Sequence, residues 1–231
     1  MKKYTAVLFD IDNTLLNFDA DEHNALVATL KYYNLPYDEE TVKAYVNIND
    51  GLWHDFEKGI ITKEDIKNTR FALLLEMFAI KAPVSARQIN DTYAFNLSEG
   101  GVLLDGAAEL CEKLTENGLS LYAVTNGIEL TQKKRLKKSG LDKFFKDVFI
   151  SEKVGFQKPL KEYFDYVFEH IDEKEKEKII LIGDSLSSDI KGALGAKIDC
   201  IWINAKNKTN DVCEKPTYEV KNINEIYKII K

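Results

Sequence analysis

Residues 4–14 read YTAVLFDIDNT, an apolar run that stops at a carboxylate, Asp10. A short apolar run without polar alternation is typical of a strand that is buried on both faces of a parallel sheet. Similar runs lie at 119–124, 148–150, 178–182 and 198–203, and helical patterns lie between them at 107–117, 129–139, 161–171 and 188–196. Strands that alternate with helices predict an α/β fold built on a doubly wound parallel sheet.

Residues 17–95 interrupt this alternation, because they contain amphipathic helical patterns and no convincing buried strand. The predicted helices of this segment lie at 20–33, 39–47, 63–78 and 86–97. We therefore expect an inserted all-helical domain over 17–95 and a sheet-containing core over 1–16 and 96–231.

The composition permits a sizeable core, since 45% of the 231 residues are hydrophobic. The formal net charge of -6 provides no global positive field that would attract polymeric nucleic acid or an anionic membrane. One basic cluster falls in the predicted helix 129–139, and we interpret it as solvated cations that complement the negative end of the helix dipole. The cluster consists of Lys133, Lys134, Arg135, Lys137 and Lys138.

The three cysteines, Cys111, Cys200 and Cys213, lie far apart and show no metal-ligand spacing. This pattern predicts buried, reduced thiols and a reducing compartment. The N-terminal apolar stretch 5–9 is too short for a secretory signal or a membrane span. We therefore expect a cytoplasmic protein without a membrane partner.

Polar side chains follow several of the predicted strands at the points where these strands end. Each one alone is weak evidence, since an aspartate after a strand is often only a turn former or a helix cap. Their recurrence at successive strand ends favours a shared site, because ligands bind outside the carboxyl ends of parallel strands. The segments are Asp10 to Thr14, Thr125 to Gly127, Lys158-Pro159, Gly183 to Ser185, and Asp189.

The acidic members of these segments favour a divalent cation. Asp10 and Asp12 flank one residue at a turn, so both carboxyl groups can face the same cavity. Close carboxylates repel each other, and a divalent cation relieves the repulsion. Asp184 and Asp189 supply further acidic oxygens. Oxygen ligands without a nearby His or Cys favour Mg²⁺ over Zn²⁺.

The remaining strand-end groups suit a transferring phosphoryl group. The Thr125 hydroxyl and the backbone N–H groups near Asn126 and Gly127 can donate to its equatorial oxygens. The Lys158 ammonium can do the same, and it can also hold a nucleophilic carboxylate in place while it offsets the negative charge of a substrate.

Four motifs together resemble those of the haloacid dehalogenase superfamily: FDIDNTL (9–15), VTNG (124–127), GFQKP (155–159) and IGDSLSSDI (182–190). The resemblance spans the whole core, which it implies to be Rossmann-like. It implies that Asp10 is the nucleophile, which becomes an aspartyl phosphate, and that Asp12 is the general acid and base. It further implies that Mg²⁺ is held by Asp10, the backbone carbonyl of Asp12 and Asp184, and that Asp189 supports the metal waters.

The insertion resembles the helical cap of the phosphoglycolate phosphatase-like and nucleotidase-like branch, which closes over the substrate and reads its leaving group. Segments 47–62, 150–159 and 200–205 are similar to pyrimidine nucleotidases. This resemblance implies a 5'-nucleotidase that acts on a small phosphate ester, a pyrimidine nucleoside monophosphate. The sequence does not determine the oligomeric state, and we expect a monomer or homodimer. One departure is Lys197, because related sequences usually end the last motif's helix with Ala-Gly.

Several alternatives stay open at this point. A phosphatase of phosphoglycolate or of a sugar phosphate, or a sugar phosphomutase, would keep both aspartates. A haloacid dehalogenase does not need an acid at position 12, because halide leaves without a proton. A non-catalytic binding module on the same fold is disfavoured by the complete set of acidic, basic and hydroxyl groups.

Some residues near the motifs allow two interpretations. Trp53 and Phe56 can stack on a nucleobase or form the core of the helical domain. The serines beside Asp184, which are Ser185, Ser187 and Ser188, are interpreted as helix-capping groups, because the sequence shows no base to activate them.

Overall fold

The structure is a computed structural model that describes residues 4–210 and 214–231. Six strands of the described residues form one sheet, in which every neighbouring pair is parallel. The predicted α/β fold with a doubly wound parallel sheet is confirmed. The strands are β1 (Ala6–Phe9), β2 (Ser120–Thr125), β3 (Phe145–Ile150), β4 (Ile179–Gly183), β5 (Asp199–Ile203) and β6 (Tyr218–Val220). Their order across the sheet is β3-β2-β1-β4-β5-β6.

The chain divides into two compact units, one of Met1–Phe18 with Gly101–Lys231 and one of Asp19–Gly100. These divisions fall a few residues later than the boundaries expected near 17 and 95. The second unit is helical, and the described helices of the insertion are α1 (Phe18–Tyr32), α2 (Glu39–Glu57), α3 (Lys63–Met77) and α4 (Ala86–Ser98).

The sheet is covered by helices on both faces. Residues of β1 alternate between the two sides, so that Val7 and Phe9 join one buried cluster while Ala6 and Leu8 join the other. The first cluster includes residues of two helices, Ala107–Glu116 and Ile226–Ile230, and the second includes residues of two others, Lys161–His170 and Lys191–Ala196. This two-sided burial explains the continuous apolar run of the first strand. The described helices of this unit are α5 (Ala107–Glu116), α6 (Glu129–Ser139), α7 (Ser151–Val154), α8 (Lys161–His170), α9 (Lys191–Ala196) and α10 (Ile226–Ile230).

The prediction that the second helix ends at residue 47 is wrong, because α2 continues through Gly51 to Glu57. A glycine inside a helix costs about 1 kcal/mol relative to alanine. Burial of Tyr45 and Phe56 on the inner side of α2 outweighs that cost. Trp53 therefore lies on a helix, where its ring packs edge-on against Phe56 at 5.6 Å between centroids.

Two further predictions need correction. The third strand begins at Phe145 rather than at 148, and a π-helical turn, Leu186–Ile190, precedes α9 where a single α-helix from 188 was expected. Lys197 ends α9 with a φ of 60°, in the left-handed region that glycine adopts more readily. Lys197, which stands where related sequences usually have glycine, is thus a strained residue at the end of this helix.

A buried polar chain crosses the helical unit. Asn49 donates to Glu22 at 2.7 Å, while Arg70 donates to Asn49 at 3.3 Å and to Asn90 at 2.8 Å. Burial, reinforced by Asp50, raises the pKa of Glu22 to about 8, against the hydrogen bond from Asn49 and the charge of Arg70. An ionised Glu22 therefore destabilises this unit.

Glu22→Gln is expected to raise the melting temperature more at pH 9 than at pH 5. The difference between the two rises should be about 5 °C or more. The folded state binds the Glu22 proton more tightly than the unfolded chain, so wild-type stability falls as the pH rises from 4.5 towards about 8. Glutamine keeps an acceptor for Asn49 and never ionises. Thermal unfolding across this pH range tests the prediction, with the exposed Glu76→Gln on α3 as the matched control. Equal shifts at both pH values would contradict it.

Cys111 and Cys200 are free and buried, as predicted, while Cys213 lies outside the described residues. Among residues 4–210 and 214–231, no helix combines the length and the apolar character that crossing a membrane requires.

Candidate active site

Asp10 directly follows β1, whose neighbours on either side are β2 and β4. Phe9 is in register with Ala123 of β2 and with Ile182 of β4, so the carboxyl ends of the three strands lie within two residues of one another. The chain first adds β2 and β3 on one side of β1 and then adds β4, β5 and β6 on the other. Ligands bind at such a reversal of strand order, which marks this edge of the sheet as the candidate site.

The Lys158 ammonium is the central donor of the site. Its Nζ donates to Asp10 Oδ1 at 2.7 Å, to Asp189 Oδ1 at 2.6 Å and to the Val124 carbonyl at 2.9 Å. An ammonium has three protons, and these three bonds use all of them. Burial acts to lower the pKa of Lys158, but Asp10 and Asp189 outweigh burial and raise that pKa above its ordinary value. The lysine is therefore held as a buried cation.

Three carboxylates surround this cation. Asp10, Asp184 and Asp189 each offer an oxygen, and these oxygens lie within 4.8 Å of one another. Burial and then Asp189 raise the pKa of Asp10 well above its ordinary value, although Lys158 opposes the change. Burial and then Asp189 also raise the pKa of Asp184 to about 7. The cluster therefore holds more negative charge than its single lysine offsets.

This donor set fits a divalent cation that prefers oxygen ligands. When all three carboxylates are ionised, Lys158 leaves an excess of two negative charges, which one Mg²⁺ would neutralise. The distance between the oxygens of Asp10 and Asp184 allows both to reach one ion. Among the described residues, the side chain of Asp12 is outside this cluster.

Gly183 permits the close approach of Asp189. A Cβ on Gly183 would lie 2.3 Å from Asp189 Oδ2. That oxygen accepts from the Ser185 N–H at 3.1 Å, while the other oxygen accepts from Lys158. The Ser185 hydroxyl in turn accepts from the Ser188 N–H at 3.3 Å, which confirms its capping role. Both oxygens of Asp189 are thus engaged by the protein.

The carboxylate of Asp12 is held by two side chains of α6. Gln132 Nε2 donates to Asp12 Oδ2 at 2.6 Å, and Arg135 Nη1 forms an ion pair with Asp12 Oδ1. Gln132 Nε2 also donates to the Thr125 hydroxyl at 2.9 Å. The first and second motifs are therefore joined through one amide group.

The interpretation of the basic cluster as solvated cations is wrong for Arg135, which is fully buried. Lys133 and Lys137 of the same helix are exposed. The physical reason is helical geometry, because Gln132, Arg135 and Leu136 share the inner side of α6. No clear signal in the sequence marked Arg135, because Leu130 and Leu136 lie on different sides of α6 and Leu130 is exposed.

Asn126 joins two of the predicted segments. Its side chain donates to the Lys158 carbonyl at 2.9 Å and accepts from the Lys158 N–H at 2.9 Å. The Gly127 N–H donates to the Thr125 hydroxyl at 3.0 Å. The structure thus brings the predicted residues of the second and third segments together, and the side chain of Asn126 binds the backbone of Lys158.

Comparison with known proteins shows the family of this chain. A profile of the haloacid dehalogenase-like hydrolases matches residues 4–197. The chain belongs to this family. It is 44% identical to YfnB of Bacillus subtilis (strain 168), a protein assigned to the same hydrolases, over 100% of this chain and 97% of that protein. The crystal structure of YfnB bound to magnesium superposes with a TM-score of 0.93 over all of both chains.

Two relatives of this hydrolase are pyrimidine 5'-nucleotidases. PynA of Streptococcus pneumoniae (strain ATCC BAA-255 / R6) is 41% identical over 94% of this chain and 91% of that protein. YjjG of Escherichia coli (strain K12) is 29% identical over 99% of this chain and 98% of that protein. The family resemblance stated from the sequence is confirmed.

Addition of Mg²⁺ is expected to raise the melting temperature of this hydrolase, and Asp184→Asn is expected to remove most of that rise. A ligand at about 100 times its dissociation constant stabilises the folded state by about 2.7 kcal/mol. Asparagine preserves the size of the side chain but removes one anionic oxygen from the cluster. Thermal unfolding in EDTA and in Mg²⁺ checks this, with Asp147→Asn on the exposed part of β3 as control. A full Mg²⁺ response in Asp184→Asn would contradict the assignment.

Proposed function

We propose that this hydrolase is a Mg²⁺-dependent phosphatase that acts as a pyrimidine 5'-nucleotidase through a phosphorylated Asp10. The observation that carries the proposal is the bond from the buried Lys158 ammonium to Asp10, inside a cluster of three carboxylates. Two relatives that match nearly the whole chain are pyrimidine 5'-nucleotidases, which supports the substrate class.

In the first half of the reaction, an oxygen of Asp10 attacks phosphorus and forms a P–O bond. The bond from phosphorus to the ester oxygen breaks, and its electron pair goes to that oxygen, which takes a proton from Asp12. Lys158 fixes the Asp10 carboxylate by its bond to Oδ1. The ammonium also offsets part of the negative charge that the phosphate adds.

In the second half, Asp12 takes a proton from water as the water attacks phosphorus. The bond between phosphorus and Asp10 breaks, and its electron pair restores the Asp10 carboxylate. Asp12 is suited to both halves because it is partly exposed, with 29% of its side chain accessible, and is held in place by Gln132 and Arg135.

The residues that would hold the metal are Asp10, the backbone carbonyl of Asp12 and Asp184, with Asp189 in support. When bound, Mg²⁺ supplies positive charge that shields the nucleophile from the phosphate dianion and neutralises charge on the transferring group. The hydroxyl group of Thr125 donates a hydrogen bond to a phosphate oxygen.

A phosphate-release screen with Mg²⁺ tests the proposal. UMP, dUMP and dTMP are compared with purine nucleotides, phosphoglycolate and sugar phosphates, and we expect kcat/KM to be highest for a pyrimidine nucleotide. Values equal to or lower than those for purine nucleotides would remove the pyrimidine preference, and values equal to or lower than those for phosphoglycolate or a sugar phosphate would remove the nucleotidase assignment. Activation by a sugar bisphosphate would instead indicate a mutase, and halide release from a haloacid in EDTA would indicate a dehalogenase.

A further inference from the structure

Two buried residues of α6, Gln132 and Arg135, bind the carboxylate of Asp12. Neither residue exchanges a proton or forms a bond in the reaction proposed above. Gln132 is 1% exposed and Arg135 is 0% exposed, whereas side chains of their polar types are rarely buried without a partner. Both contact the same carboxylate, Gln132 on Oδ2 and Arg135 on Oδ1. Each carboxylate oxygen therefore has its own donor.

The orientation of Gln132 is determined by its hydrogen bonds. Its Oε1 accepts from Arg135 Nη1 at 3.0 Å, which directs its NH₂ group the other way. The NH₂ group has two protons, and it makes two bonds, one to Asp12 and one to Thr125. A rotated amide would place its oxygen against the Asp12 carboxylate and lose both bonds.

The contact with Thr125 directs the threonine hydroxyl. Thr125 Oγ1 accepts from Gln132 at 2.9 Å and from the Gly127 N–H at 3.0 Å. A hydroxyl has two acceptor positions and one donor proton, so both acceptor positions are filled. The remaining proton is available to donate to a phosphate oxygen. Gly127 contributes by its lack of a side chain, because a Cβ there would lie 2.5 Å from Gln132 Nε2.

Arg135 is itself held by its surroundings. Its guanidinium lies over the Phe18 ring, 5.5 Å from the centroid, in addition to its contacts with Asp12 and Gln132. A buried guanidinium loses its hydration, so it needs partners such as these. Its planar group contacts the carboxylate and the amide through one nitrogen, which links their positions.

We propose that Gln132 and Arg135 are positioning residues that hold Asp12 for proton transfer and, through Gln132, direct the Thr125 hydroxyl towards the substrate phosphate. The proposal rests on the proposed function, because it assigns to Asp12 the protonation of the leaving oxygen. It identifies a linked pair on α6 that acts on two different motifs at once.

The proposal predicts a loss that depends on the leaving group. A nucleoside 5'-alkoxide needs a proton as it departs, whereas p-nitrophenolate is a stable anion and leaves without one. The constant kcat/KM reports the steps up to release of this leaving group, so it isolates the proton transfer of the first half. Misplacing Asp12 should therefore reduce kcat/KM for a nucleotide far more than for p-nitrophenyl phosphate.

The test compares Arg135→Met with wild type on UMP and on p-nitrophenyl phosphate. We expect kcat/KM to fall about 10²-fold for UMP and less than about 5-fold for p-nitrophenyl phosphate. Lys137→Met, which removes an exposed cation from the same helix, should change both values less than about 2-fold. Arg135→Lys keeps a cation and should show the same selectivity with a smaller loss.

Gln132→Leu removes contacts with both Asp12 and Thr125, so it should reduce kcat/KM for both substrates, and more for UMP.

A double variant tests whether Arg135 acts through Asp12. For UMP, kcat/KM of Asp12→Asn combined with Arg135→Met should be less than about 3-fold below that of Asp12→Asn alone, because both changes affect the proton transfer by Asp12. Equal losses on the two substrates in Arg135→Met, no loss on either, or full additivity would overturn the proposal.

Failure of the nucleotidase assignment can be told apart from failure of this inference. If wild type prefers another alkyl phosphate in the substrate screen, that ester replaces UMP and the comparison is unchanged. If wild type hydrolyses no phosphate ester with Mg²⁺, the proposed function and this inference fall together. Selective loss with a different alkyl ester would support the positioning role while removing the nucleotidase.

Discussion

Asp10→Asn is expected to reduce turnover at least about 10⁴-fold while leaving the chain folded. A carboxamide is a poor nucleophile and cannot form the acyl phosphate that the proposed reaction requires. Its size and its Oδ1 acceptor are preserved, so Lys158 keeps a partner at that position. Steady-state phosphate release with the best substrate of the screen measures the loss.

Stability provides the second readout for Asp10→Asn. Burial raises the pKa of Asp10, which means that its ionised form destabilises the folded state without a cation. Replacing it with a neutral group should therefore not lower the melting temperature in EDTA below that of wild type. The exposed Asp147→Asn serves as the activity control. Undiminished turnover in Asp10→Asn would refute the covalent mechanism.

Lys158→Met is expected to lower both stability and activity. The ammonium is 1% exposed and bonds to the carboxylates of Asp10 and Asp189, so its loss leaves two buried anions without a partner. Breaking a buried ion pair in this way costs about 3–5 kcal/mol. Loss of its charge next to the phosphate should reduce kcat by about 10²-fold or more.

Chemical denaturation in EDTA and in Mg²⁺, together with turnover assays, tests Lys158→Met. The destabilisation should be larger in EDTA, because a bound divalent cation offsets part of the negative charge of the buried carboxylates that have lost Lys158. Lys161→Met is the matched control. Its ammonium is 76% exposed and pairs with Asp165 at the surface, so the expected change is within about 0.5 kcal/mol. Equal behaviour of the two variants would contradict the role of Lys158.

The sequence alone was sufficient to predict the parallel sheet and the family, and to predict which residues stand at the ends of the strands. Buried parallel strands require continuous apolar runs, and Asp10, Thr125 and Asp184 stand at the ends of such runs. Fold topology then brings those ends to one edge, which is why their approach could be inferred without coordinates. The oxygens of Asp10 and Asp184 do lie within reach of a shared ion.

Only the tertiary structure decided which polar side chains turn inward. The sequence showed Arg135 among four lysines with nothing to separate it from them, yet it alone of that cluster is fully buried, against Asp12. Likewise, Gln132 has no local feature that predicts contact with Asp12 and Thr125. These contacts join residues far apart in the chain, and they depend on how α6 is rotated against the sheet. Strand ends follow from local apolar pattern, whereas helix rotation is determined by packing with distant residues.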